Sequence, residues 1–219
     1  MCFSAQADIV GGLVVGVVGV DALRHVSNRR QLPLAAVPVY FAVHELDEAV
    51  VWLALQGRLP WKAGQEAAWV FLVMAFLLPL LVPIAVSGIE TVAWRRMLMA
   101  PLAAAGAVVA AVMVSVVVRG PISAAIVGHH IVYGTGQPYA IVLGVLYVVA
   151  TCGSLLVSSH RTIVAYGVCN LAAVGLLVWL TLDGLTSLWC IWAAITSIGI
   201  AAYLRRRESL TGPMALTLK

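Results

Sequence analysis

The chain has 219 residues, of which 63% are hydrophobic and 10% are charged, and its mean hydropathy is +1.03. Ordinary soluble domains contain roughly 45–50% apolar and about 25% charged residues, so a soluble fold of this length could not hide the apolar excess. The net charge of +4 does not indicate nucleic-acid binding, because the basic residues are scattered over short polar segments and the tail. The composition predicts an integral membrane protein with the lipid bilayer as its solvent.

Seven apolar segments are long enough, at about 1.5 Å per helical residue, to cross a hydrocarbon core of about 30 Å. They cover residues 4–23, 33–55, 67–87, 97–118, 139–157, 163–182 and 185–204. The longest connection, 119–138, contains Gly128, Gly134 and Gly136, which leave open a re-entrant segment. The pattern predicts an all-α transmembrane bundle of seven helices in one domain, 1–204, and a short basic tail, 205–219.

The distribution of arginine and lysine predicts the orientation of this bundle. With the N-terminus outside, ten basic residues fall in the inner connections and tail, and three fall in the outer connections. The inner set is Arg24, Arg29, Arg30, Arg95, Arg96, Arg161, Arg205, Arg206, Arg207 and Lys219, and the outer set is Arg58, Lys62 and Arg119. Because positive charge favours the cytoplasmic side, we expect a multi-pass protein of the bacterial inner membrane with a cytoplasmic C-terminus.

The second segment carries an unusual polar run, His44-Glu45-Leu46-Asp47-Glu48. At about 100° per residue, His44, Glu45 and Glu48 fall within one sector of a helix, and Trp52 extends that stripe by one turn. Each ionisable residue at mid-membrane costs roughly 2.5–3.5 kcal/mol, so the group requires partners, water or protonation. Intramembrane ionisable groups mark functional sites more often than not, although buried polar contacts that fix helix register are the simpler alternative.

Other reactive side chains fall on the same, outer side of the predicted bundle. They are Cys2, His129, His130, Tyr133, Asp183 and Cys190. Imidazole, carboxylate and thiolate groups in a partly dehydrated pocket are ligands of zinc, copper or iron, which predicts a divalent transition metal. His44 and Glu48 are spaced to grip one ion, with Glu45, Cys2 and one of the two loop histidines as further ligands. The HExxE sequence is only half of the HExxH protease motif, so we do not assign that activity.

Cys2 has two alternative roles. Removal of Met1 would leave an amine and a thiol on adjacent atoms, which form a bidentate metal ligand or a nucleophile. A disulfide between Cys2 and Cys190 is equally compatible with their predicted position on the oxidising side of the membrane. The sequence leaves both open.

Several segments resemble a group of bacterial seven-helix membrane proteins that begin with Met-Cys-Phe-Ser-Ala. The resemblance rests on Met1-Cys2-Phe3-Ser4-Ala5, on residues 48–52 and 130–133, and on residues 187–190. It implies the seven-helix architecture and no reaction, because the function of that group is unknown. It adds weight to Cys2, Glu48, Trp52, His130, Tyr133 and Cys190. The group carries amides at the positions of His44 and Glu45, which leaves a metal site either particular to this chain or based on Glu48 and His130.

Two other classes of seven-helix protein do not match. Zinc hydrolases of the alkaline ceramidase and adiponectin-receptor type carry a His-xxx-His pair in their last helix, and residues 185–204 contain no histidine. Retinal proteins need a lysine within the bundle, and none of the seven segments contains one.

Three functions remain as hypotheses. The first is a metal-binding protein, with an enzymatic role on a lipid or small apolar substrate in which Glu48 is ligand or general base and Tyr133 a hydrogen-bond donor to an oxyanion. The second is a transporter or proton-coupled carrier with Glu48 as the titrating centre. The third is an accessory subunit whose polar stripe meets a partner membrane subunit or a second copy in a homo-oligomer.

Overall fold

The computed structural model describes residues 4–136, 139–180 and 185–211, without the side chains of 180, 185–191 and 209–211. Seven α-helices occupy most of these residues: α1 Ala5–Arg24, α2 Leu32–Leu55, α3 Trp61–Ile89, α4 Ala93–Arg119, α5 Ala140–Val157, α6 Arg161–Leu180 and α7 Leu185–Thr211. A short 3-10 helix, Arg29–Gln31, precedes α2. The prediction of seven helices is confirmed. The helices α3, α4 and α7 extend well beyond the predicted segments, and α7 continues through Arg205, Arg206 and Arg207 into the predicted tail.

Five of the described helices are long and apolar enough to cross a membrane, namely α1, α3, α4, α5 and α6. The helix α2 has 24 residues, but every stretch of 18 residues in it contains Glu45, Asp47 and Glu48. The structure therefore has the helices of a membrane protein. Passage of α2 and α7 through the bilayer, and the orientation of the bundle, stay predictions.

Small residues allow α1 to lie directly against α2. A Cβ atom at Gly12 would come within 2.7 Å of the Leu46 side chain, and one at Gly19 would come within 2.8 Å of the backbone of Val39. Close backbone approach through small residues is how helices pack when the surrounding lipid provides no hydrophobic driving force. This contact brings the start of α1 next to the polar run on α2.

Two prolines inside α3 leave backbone carbonyls without their usual helical donors, because proline has no N–H. Pro79 frees the carbonyl of Ala75, and the Tyr147 hydroxyl on α5 donates to it at 2.9 Å. Pro83 frees the carbonyl of Pro79, against which Gly106 of α4 packs. The neighbouring helix α5 thus supplies the donor that Ala75 lacks within α3.

The connection between α4 and α5 departs from the all-α prediction. It forms an antiparallel hairpin of β1 Ser123–Val127 and β2 His130–Gly134, with Val127 paired to His130. Gly128 opens the two-residue turn with φ +60°, a conformation that glycine adopts without steric cost. Ile131 is fully buried among Ala5, Trp52 and neighbouring apolar side chains. The hairpin therefore closes the end of the bundle where α1 and α3 begin, which we call the hairpin end.

The opposite end, which carries most of the arginines and is called the basic end, is held together by Glu90. Its carboxylate accepts hydrogen bonds from the backbone N–H of Val92 (2.8 Å), the backbone N–H of Ser159 (2.7 Å) and the Ser159 hydroxyl (2.6 Å). Burial raises the pKa of Glu90, but these hydrogen bonds lower it by a larger amount, so that its value is about 2. Glu90 thus joins the α3–α4 connection to the α5–α6 connection.

Candidate functional site

The polar run on α2 faces the interior of the bundle near the hairpin end. His44, Glu45, Glu48 and Trp52 are all buried, on the sector of the helix that their spacing predicted, and Asp47 is half-buried beside them. Both carboxylate oxygens of Glu45 lack a hydrogen-bond partner among the described residues. A buried polar group without a partner is costly, so this carboxyl group requires a proton or a ligand.

A second buried acid, Asp8 of α1, was not among the residues that the sequence indicated. Its side chain is fully buried, and Asp8 lies close enough to Glu45, across the contact between α1 and α2, for the two carboxyl groups to influence each other. Asp8 stands four residues before Gly12, on the face of α1 that packs against α2. The spacing of Asp8 and Gly12 in the sequence could have indicated that Asp8 faces α2. An acid in the first turn of a helix, however, commonly stabilises the positive end of that helix and needs no other role.

Glu48 contacts the hairpin through Tyr133. The Tyr133 hydroxyl donates a hydrogen bond to Oε1 of Glu48 at 3.4 Å, which is long for such a bond. The Tyr133 ring stacks on Phe71, with centroids 4.9 Å apart, and Phe71 stacks in turn on His44 at 4.0 Å. The hairpin therefore completes the site. The stacked rings of Tyr133, Phe71 and His44 connect the hairpin to the polar run on α2.

The hydrogen bond of His44 defines its tautomer. Nε2 lies 3.2 Å from the backbone carbonyl oxygen of Phe71. Because a carbonyl oxygen can only accept, the neutral ring carries its hydrogen on Nε2, and Nδ1 is a hydrogen-bond acceptor. His44 thus offers a lone pair inside the bundle.

The two loop histidines do not share this face. Successive side chains of a strand point to opposite sides, so His130 points away from the side on which Ile131 and Tyr133 pack into the bundle. His129 is exposed in the turn. Within the described ranges, no group of three His, Cys, Asp or Glu side chains is arranged to hold a metal ion. The predicted metal stays a prediction.

Three other candidates lie wholly or partly outside the described residues. Cys2 and Asp183 are not described, and Cys190 belongs to α7 without a described side chain. The Cys2–Cys190 disulfide and the amine–thiol alternative therefore both stay open.

The family model that matches this chain is described as a family of unknown function, DUF6629, and it covers residues 1–214. This agrees with the resemblance to a group without an assigned function. No curated protein and no solved structure matches the chain.

Proposed function

The chain belongs to the DUF6629 family of unknown function, and we propose from the site itself that it is a proton-coupled membrane carrier. Its titrating centre is formed by Asp8, Glu45 and Glu48, which we call the carboxyl cluster. All three side chains are at most 1% exposed. The sequence suggested Glu48 alone as the titrating centre, and here that role is shared by three acids on two helices.

The observation that carries this proposal is the Glu45 carboxyl group, buried without a hydrogen-bond partner among the described residues and next to Asp8. Two neighbouring carboxylates repel each other, and the repulsion grows when little water screens it. A single proton held by the pair removes one charge and supplies a hydrogen-bond donor. The pair therefore suits reversible proton binding better than permanent ionisation.

Glu48 and Tyr133 provide the connection from this pair to the hairpin end. Glu45 and Glu48 are three residues apart on α2, where side chains are neighbours on the helix surface. Tyr133 donates to Glu48 from the hairpin and is only partly buried. A proton that enters beside the hairpin would reach Glu48 first and Asp8 and Glu45 next.

Proton exchange can be measured before any cargo is known. Purified protein is reconstituted into liposomes that contain a pH-sensitive dye, and the internal pH is followed after an external pH jump. We expect faster equilibration than in empty liposomes, and a slower rate for both Glu45→Gln and Glu48→Gln. Glu66→Gln is the matched control, because Glu66 is exposed near the start of α3. Equal rates for wild-type and empty liposomes would contradict the proposal.

A metal-dependent enzyme on a lipid or small apolar substrate is the second candidate. The unpartnered oxygens of Glu45 favour it, since a divalent ion satisfies carboxylate oxygens as well as a proton does. Cys2, two residues before the Ser4 cap of α1, would supply a further ligand. Elemental analysis of protein purified without chelators decides between the two: one zinc, copper or iron per chain that is lost in Glu48→Gln supports the enzyme, and a folded, metal-free protein argues against it.

A further inference from the structure

An elongated cavity of about 360 Å³ lies inside the bundle between α2, α3, α5, α6 and α7. Its wall runs from Leu34 to His44 on α2 and from Ala193 to Tyr203 on α7. Ten residues of helix correspond to about 15 Å, so the cavity extends along the helix axes. Its volume lies within the range of about 300–1,000 Å³ that holds small-molecule ligands.

The wall of the cavity determines the charge of a suitable ligand. None of its described lining residues is Asp, Glu, Lys or Arg, and most are aliphatic or aromatic. A charged group enclosed here would meet no counter-charge among these described residues, which is far more costly than leaving it in water. The cavity therefore suits a neutral and mostly apolar molecule.

Three hydroxyl groups of the wall have already used their hydrogen atoms. Tyr147 donates to the Ala75 carbonyl at 2.9 Å, and Thr151 donates to the Tyr147 carbonyl at 2.8 Å. Thr196 donates to a carbonyl of its own helix at 2.6 Å. What these groups still offer is acceptor capacity. His44 lines the hairpin end of the cavity. Its Nε2 is bonded to the Phe71 carbonyl oxygen, so Nδ1 is the acceptor that remains on this ring.

We propose that this cavity binds a long-chain alcohol, an extended hydrocarbon chain with one terminal hydroxyl group. The chain occupies the apolar length of the cavity, and the hydroxyl donates to Nδ1 of His44. A long-chain alcohol would then be the class of molecule that the proposed carrier moves, and this transport role rests on the proposed function. Binding of the alcohol does not depend on it, because binding can be measured without a proton gradient.

Two glycines in the wall permit a matched test. A Cβ atom at Gly144 or Gly199 would meet no described atom within 4 Å, so leucine at either position projects into open space and reduces the cavity. Gly175 on α6 is equally open but does not line the cavity. Gly199→Leu and Gly175→Leu therefore make the same helical substitution with different effects on the cavity.

The experiment uses full-length protein in lipid nanodiscs at one fixed pH. A dodecanol analogue with a photoreactive diazirine in its chain is cross-linked, and the labelled peptides are identified by mass spectrometry. We expect labels in the wall segments of α5 and α7, and competition by 1-dodecanol about fivefold stronger than by dodecane, as one hydrogen bond would give. Gly144→Leu and Gly199→Leu should reduce labelling about tenfold or more, and Gly175→Leu should not.

His44→Phe tests the polar contact separately. Phenylalanine keeps a ring at this position but removes the acceptor, so labelling should persist and the preference for dodecanol over dodecane should disappear. Equal competition by the two compounds in the wild-type protein would overturn the hydroxyl assignment. Labelling that is unchanged in Gly199→Leu would overturn the cavity as the binding site. If the wild-type protein is labelled as expected but exchanges protons no faster than empty liposomes, the result would count against the carrier and not against this binding site.

Discussion

Replacement of Glu90 by glutamine tests how much the hydrogen bonds at the basic end contribute to stability. The Glu90 side chain is 3% exposed and accepts three hydrogen bonds, two from Ser159 and one from the N–H of Val92. Glutamine has a single acceptor oxygen, and its amide group would face at least one of these donors. The substitution therefore removes a charge and leaves a buried donor unpaired.

The magnitude follows from the pKa of Glu90. Burial raises this pKa, but the hydrogen bonds from Ser159 and Val92 outweigh it and place the folded value at about 2, against 4.5 for the ordinary side chain. The difference corresponds to about 3 kcal/mol of the free energy of unfolding. Because the folded pKa is the lower one, this contribution is present above pH 4.5 and is lost as the pH falls from 4.5 to about 2.

Thermal unfolding in mild detergent, followed by tryptophan fluorescence, measures this effect. At pH 7 we expect Glu90→Gln to lower the free energy of unfolding by about 2–3 kcal/mol and the melting midpoint by roughly 5–10 °C. The difference from wild type should shrink when both proteins are compared near pH 3. Glu66→Gln, which changes an exposed carboxylate, should behave as wild type. Equal midpoints for Glu90→Gln and wild type at pH 7 would mean that these hydrogen bonds do not stabilise the folded protein.

Two further substitutions test packing and proton transfer. Gly106→Ala places a Cβ atom 1.9 Å from the carbonyl oxygen of Pro79, so α3 and α4 must separate, and we expect a loss of about 1–3 kcal/mol in thermal melts. Gly175→Ala, with no described atom within 4 Å, should cause no loss. Tyr133→Phe keeps the aromatic ring but removes the donor to Glu48, so it should preserve the melting midpoint and slow proton exchange in liposomes roughly tenfold. An unchanged exchange rate would exclude Tyr133 from the proton route.

The helical features of this protein followed from local patterns. The 3.6-residue period of a helix is enough to place His44, Glu45, Glu48 and Trp52 on one sector, and the buried state of all four agrees with it. The requirement that neighbours satisfy a carbonyl freed by proline is likewise local and is met at Ala75. Such features need only the geometry of a single helix.

The features that the sequence did not reveal depend on contacts between distant segments. Asp8 becomes part of the site only because Gly12 lets α1 approach α2, so its first-turn position on α1 alone was ambiguous. The hairpin consists of two five-residue strands, and apolar runs this short do not by themselves distinguish a strand from a helix. Its pairing register decides that Tyr133 points towards Glu48 and that His130 points away.

In the proposed carrier, the carboxyl cluster holds a proton inside the bundle at neutral pH. Infrared spectroscopy of the protein in a detergent without ester groups tests it directly, because a protonated carboxyl group has a carbonyl stretch that a carboxylate lacks. We predict this band at pH 7 in wild type and Glu66→Gln, and its loss or marked reduction in Glu45→Gln. A wild-type spectrum without the band at pH 7 would mean that the cluster holds no proton there and would rule out this role.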